Sequence, residues 1–162
     1  MMTEVEQRLH RVCFTGHRPE KLDVPEWKVV QVLEKEIDRA IADGYTTFIS
    51  GMARGVDIWA AEIVISRKKK YPELKLICAL PFEGFETSWS ADWQKRYAIV
   101  LEKSDLVYPI CKGYSRSCFQ VRNKWMVDHS ARVIAVWNGE PSGTKNTIDY
   151  AMKKAVEVIN II

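Results

Sequence analysis

The residues best suited to chemistry stand where apolar runs give way to glycine. Gly51-Met52-Ala53-Arg54-Gly55-Val56-Asp57 follows such a run and precedes a helical pattern. Two glycines let the backbone approach a ligand closely. The helix that begins there turns unpaired N–H groups and the positive end of its dipole toward an anion, and Arg54 adds a guanidinium able to grip phosphate with two bonds. A tight turn that needs glycine for conformation alone has the same spelling. The spacing is less specific than G-x-G-x-x-G, and no Gly-Lys-Ser/Thr closes it as in a Walker A loop.

Gly16-His17-Arg18-Pro19 ends an earlier apolar run, and Gly143-Thr144 opens the last helical pattern. A histidine and an arginine at the end of a central strand suit a ligand crevice, against the alternative of surface side chains on a turn. A hydroxyl beside free helix amides suits a second phosphate or a ribose, against the alternative of a plain threonine cap. Cys13 and Arg18 have Cys-x4-Arg spacing, but Cys13 lies inside a strand, so a phosphatase-type thiolate is rejected. Trp89, Trp93, Trp125 and Trp137 are read as core before base-stacking platforms, with Trp89 alone kept as a candidate lid over a base.

These segments need elements to hold them, and the pattern supplies them. Arg11–Thr15, Thr46–Ser50, Leu74–Leu80, Leu106–Ile110 and Arg132–Trp137 read as five strands, with Pro109 a mark against regular pairing in the fourth. Between them, apolar residues recur at helical spacing: Val30, Leu33, Ile37 and Ile41; Val56, Ala60, Ile63 and Val64; Trp93, Tyr97 and Val100. Asp23 with Glu26, and Ser117 with Gln120, have the form of capping boxes. Arg122, Asn123 and Met126 share the helix after Ser117, Arg122 and Met126 on one face. Ile148, Ala151, Met152, Ala155, Val156 and Ile159 predict a final helix.

Strand–helix alternation with continuous apolar strands implies a mostly parallel five-stranded sheet covered on both faces, a Rossmann-like three-layer α/β sandwich. The expected organisation is one domain over 1–162. In such a sheet, ligands sit beyond the carboxyl ends of the strands, where the glycine and cationic segments gather.

Composition narrows the function classes. Of 162 residues, 47% are hydrophobic, and 24 Lys and Arg against 21 Asp and Glu leave a formal charge of +3. That excludes disorder and gives no global pull toward nucleic acid or membrane. The four cysteines show no C-x-x-C spacing, so no metal site is expected. A polar N-terminus and the lack of a membrane-length apolar run point to the cytoplasm. No cofactor motif stands out beyond a nucleotide-type ligand, and a homo-oligomer is left open.

Thr15-Gly16-His17-Arg18-Pro19 together with Ser50-Gly51-Met52-Ala53-Arg54-Gly55-Val56-Asp57 resembles the YpsA-like family of the SLOG (SMF/DprA–LOG) superfamily of Rossmann-like proteins. The likeness extends through Arg122-Asn123-x-x-Met126 and Ser142-Gly143-Thr144. It implies a pocket for a nucleotide, ADP-ribose or a related nucleotide sugar, in a sensor or regulatory domain. Ligand-binding positions are then Gly16, His17, Arg18, Gly51, Met52, Ala53, Arg54, Gly55, Asp57, Arg122, Asn123, Gly143 and Thr144. Phosphoribohydrolases of the superfamily cleave N-glycosidic bonds with a helix arginine, matched here by Arg122, and a glutamate in P-G-G-x-G-T-x-x-E. This chain carries Thr147 at the glutamate position and lacks the leading glycines, so such a hydrolysis loses its main reagent. Alternatives are a hydrolase using another carboxylate, and a DprA-like binder of single-stranded DNA, for which Arg67-Lys68-Lys69-Lys70 is the basic cluster.

Overall fold

Apolar residues alternate between two environments along the first strand, and that alternation builds both layers of the core. The computed structural model describes residues 1–162. In β1 (Arg11–Gly16), Val12 and Phe14 face a large core shared with α2 (Glu26–Ala42), α3 (Val56–Lys68) and α4 (Ala91–Lys103). Cys13 faces a smaller core on the other side, shared with α5 (Cys118–Asp128) and α6 (Gly143–Lys153). A short α1 (Glu4–Arg8) precedes β1 and buries nothing.

The sheet is parallel throughout, in the order β4-β3-β2-β1-β5-β6, with β2 at Thr47–Ser50, β3 at Lys75–Leu80, β4 at Leu106–Pro109 and β5 at Arg132–Val136. The chain winds outward from β1 to β4 and then returns to β5 on the other side of β1. Strand order therefore reverses between β1 and β5, where Gly16 pairs with Val136. Beyond those two strand ends a doubly wound sheet leaves a crevice.

The expected Rossmann-like architecture is correct, with a sixth strand added. β6 (Glu157–Asn160) pairs with β5 through Val133–Val158 and Ile134–Ile159. The final helix was expected to run to Ile159 but stops at Lys153, and Ala155 turns the chain at φ +57°. Ile159 fits helical spacing, yet as β-branched residues Val158 and Ile159 serve a strand well, and β5 offers them an unpaired edge. The caps also differ from expectation. Pro25, not Asp23, occupies the N-cap of α2, and Ser117 makes no side-chain bond to the start of α5. Ser142, two residues before Thr144, caps α6 by accepting from the Lys145 amide at 3.1 Å.

Candidate functional site at the strand-order reversal

A crevice of about 400 Å³ opens at the carboxyl ends of β1 and β5. One wall is Gly16, His17, Arg18 and Lys21 at and after the end of β1; the opposite wall is Asn138 and Glu140 through Thr144, ending at the N-terminus of α6; the floor holds Ala53, Asp57 and the α5 residues Phe119, Arg122, Asn123 and Met126. Of the positions expected from sequence, Gly16, His17, Arg18, Ala53, Asp57, Arg122, Asn123, Gly143 and Thr144 meet here. Gly51, Met52, Arg54 and Gly55 lie outside the lining.

Those four belong to a turn closed on itself. Ser50 Oγ donates to the Asp57 carbonyl at 2.8 Å and accepts from the Met52 amide at 3.1 Å, while the Ala53 amide donates to Asp57 Oδ2 at 3.2 Å. The carboxylate of Asp57 thus takes the position an incoming anion would need. Met52 is fully buried at φ +62°, and Arg54 reaches outward to Glu20, Nη2 to Oε1 at 2.8 Å. The glycines nevertheless have work to do. A Cβ on Gly51 would fall 2.9 Å from the Arg122 guanidinium carbon and 3.0 Å from Asp57 Oδ2. Gly55, at φ +92°, lets Pro19 and the His17 carbonyl come down on it, and Gly16 lets Val56 come within what would be 2.5 Å of a Cβ. The two glycine segments read from the sequence are therefore one packed unit: the start of α3 docked on the loop after β1.

Beneath this unit lies a buried polar pair. Arg122 is 4% exposed and Asp57 6%. Arg122 Nη1 donates to the Gly51 carbonyl, and its Nε donates to Asn123 Oδ1 at 2.8 Å, leaving Nη2 without a protein acceptor. Asp57 Oδ1 is buried with no hydrogen-bond partner. Burial raises the Asp57 carboxyl to about 6, against the opposing pull of Arg122 and the Ala53 amide. The same burial lowers the Arg122 guanidinium.

The α6 side is open by contrast. The amides of Gly143 and Thr144 have no intrahelical acceptor and no other protein partner, so they present donors at the positive end of an 11-residue helix. His17 Nε2 accepts the Asn138 amide at 3.2 Å, which makes it the neutral tautomer, and burial depresses its basicity. The cations here are therefore Arg18 and Lys21, both exposed. Trp89 is not a lid: it packs edge-on against Phe85 and Tyr97, with centroids at 5.2 and 5.5 Å, away from the crevice. Sequence reasoning missed Lys21, Asn138 and Phe119. Phe119 had a signal, since it lies three and seven residues before Arg122 and Met126 on one helical face.

The family model described as "YspA SLOG family" (YpsA) matches residues 12–160. The chain belongs to this family. Relatives within reach include the "Uncharacterized SPbeta prophage-derived protein YoqJ" of Bacillus subtilis, 36% identical over 78% of this chain and 79% of the relative. A UPF0398 protein of Ligilactobacillus salivarius is 32% identical over 86% of this chain and 80% of the relative. Among solved structures, DNA processing protein A (DprA) of Streptococcus pneumoniae superposes with a TM-score of 0.68 at 18% identity, over 94% of this chain but 50% of that one. DprA of Helicobacter pylori gives 0.62 at 19% identity, over 96% of this chain and 66% of that one. Family members thus share this fold with DprA, while the chain spans only half the length of the pneumococcal protein. No helix is long and apolar enough to cross a membrane.

Proposed function

We propose that the chain binds a nucleotide or nucleotide sugar, of the ADP-ribose kind, in the crevice at the strand-order reversal, and acts as a sensor or regulatory domain. The observation that carries this reading is the gathering of free donors around one crevice, with Arg18 held only by a long 3.9 Å pair to Glu20. The Gly143 and Thr144 amides with Arg18 and Lys21 suit the phosphates, and Arg122 Nη2 with Asn123 faces them from the floor. Membership of a SLOG family supports it. A cytoplasmic setting, where thiols stay reduced, fits the four free cysteines.

Binding is preferred over N-glycosidic or phosphate-bond hydrolysis for a local reason. Thr147, where the phosphoribohydrolase pattern has its glutamate, is buried and its hydroxyl donates to the Gly143 carbonyl at 3.0 Å. No carboxylate replaces it, and the two that line the crevice are Asp57, tied to Ala53, and exposed Glu140.

The Helicobacter pylori DprA that shares this fold is described as having a unique single-stranded DNA binding mode. Here the basic cluster that would support the same role is half consumed. Arg67 pairs with Asp38 at 2.7 Å and Lys68 with Asp105 at 2.5 Å.

Calorimetry with AMP, ADP-ribose, NAD and inorganic phosphate, with base release followed by chromatography, tests the reading. Saturable binding without turnover is the expected result. Turnover would make the chain a hydrolase, and no saturable binding would remove the small-molecule reading altogether.

A further inference from the structure

The crevice does not end at Phe119. This ring lines the crevice and is 42% exposed. It leans edge-on against Phe82 at 6.1 Å, and Phe82 holds Tyr114 in the same way at 5.8 Å. Tyr114 is 73% exposed, on the loop between β4 and α5. Lys112 and Arg116 flank it, both exposed and neither in an ion pair.

Most large aromatic side chains bury their rings. Here two rings are held by a third with their outer surfaces turned to solvent, beside unpaired cations and continuous with a crevice that offers donors for phosphate. Exposed rings next to free positive charge are the ingredients by which proteins stack nucleobases along a phosphate-linked ligand. The rest of the surface does not extend this arrangement into a track. The net charge is only +3, and the next basic cluster, Arg67 and Lys68, is engaged with Asp38 and Asp105. The patch is sized for one more base, not a strand.

We infer that the Tyr114–Phe119 patch is a second base seat, and that the ligand is a dinucleotide: one nucleoside in the crevice, a second stacked outside it, joined through phosphate. This inference rests on the nucleotide reading of the crevice and adds the ligand's size to it. Phe119 borders both seats, and Tyr114 lies two ring contacts beyond it.

The test compares AMP with two dinucleotides, pyrophosphate-linked NAD and phosphodiester-linked pdApdA, by calorimetry on the full chain and on Tyr114→Ala and Tyr114→Phe. At least one dinucleotide should bind about tenfold more tightly than AMP, the scale of one stacked base. Tyr114→Ala should erase that advantage while leaving AMP affinity unchanged, and Tyr114→Phe should restore it. Which dinucleotide gains identifies the linkage. If AMP binds and neither dinucleotide binds more tightly, or if Tyr114→Ala leaves the advantage intact, the second seat is overturned and the crevice reading stands. If a dA6 strand binds more than tenfold better than both dinucleotides, the two-base limit is overturned in favour of a strand track. If nothing binds, the crevice reading fails and takes the second seat with it.

Discussion

The turn after β2 and the turn after β5 invite comparison because both carry glycine, both lead into a helix, and both reach the same end of the sheet. The first, Gly51 to Gly55, spends two of its amides internally: Met52 on Ser50, Ala53 on Asp57. The second, Asn138 to Thr144, uses Ser142 to satisfy the Lys145 amide and leaves those of Gly143 and Thr144 open. A helix N-terminus attracts anions only while its donors are free. An acidic residue in the first turn opposes a second anion there: Asp57 sets its carboxylate at the start of α3 and takes the Ala53 amide just ahead of it, whereas α6 has no acid in its first turn. Glycine spacing alone therefore does not identify an anion site. What the neighbouring side chains do with the amides decides it.

If the first turn is a packed joint and the second an open seat, equal substitutions should act unequally. Gly16→Ala drives a Cβ into Val56 at the head of α3, at 2.5 Å from a side-chain methyl. It should cost about 3 kcal/mol, the upper range for overpacking, and lower the melting temperature by roughly 6–12 °C for a chain of this size. Gly143→Ala meets nothing within 4 Å and should change stability by less than about 0.5 kcal/mol. Differential scanning calorimetry of the two variants side by side reads the contrast, and equal losses would erase it.

The buried carboxyl makes the closed turn pH-sensitive. Asp57 is raised from 3.8 to about 6 by burial, so the folded chain holds this proton more tightly than the unfolded one. Its favourable contribution is complete below about pH 4 and is lost as pH rises through 6. Urea unfolding of the native chain and of Asp57→Asn, at intervals from pH 4 to 7.5, should show the native chain's relative stability falling by about 2 kcal/mol across that range and levelling above it. A difference that stays constant with pH would mean that Arg122 fully compensates the charge.

The open turn gives a smaller, separate signal. Ser142→Ala removes the cap of α6 and should cost about 1 kcal/mol. It should also weaken AMP binding, because the cap sets the direction of the two free amides. Loss of stability with unaltered AMP affinity would place the phosphate elsewhere on the rim.

How much of this was legible in the sequence depends on the range of the interaction. The first five strands and the helical faces follow from local periodicity. The convergence of Gly16 and Gly143 follows from the rule that ligands sit beyond strand ends, whereas Arg122, inside α5, entered through the family resemblance. β6 did not follow, because Ile159 satisfies helical spacing and only the free edge of β5 makes it part of a strand. Trp89 failed as a lid because Phe85 and Tyr97, its partners, come from spacing that shows no contact. Asp57 was seen as part of a motif, but its capture of the Ala53 amide depends on a turn geometry, with Met52 at φ +62°, that one-dimensional spacing does not carry.

Arg54 sharpens the same point at the low end of the scale. Beside two glycines it looks like a phosphate ligand, for which loss of a charged hydrogen bond would weaken binding by about 1.5–3 kcal/mol. Its partner is instead Glu20, 34 residues earlier, across the joint between the two glycine segments. Both side chains are partly exposed, and pairs of that kind contribute about 0.2–1 kcal/mol. Arg54→Ala should therefore lower stability by no more than about 1 kcal/mol, less still in high salt, because screening weakens an exposed pair. AMP affinity should remain as in the native chain. A tenfold loss of AMP affinity in this variant would mean that Arg54 leaves Glu20 when ligand arrives and that the closed turn opens to receive it, which would reverse the roles assigned to the two turns.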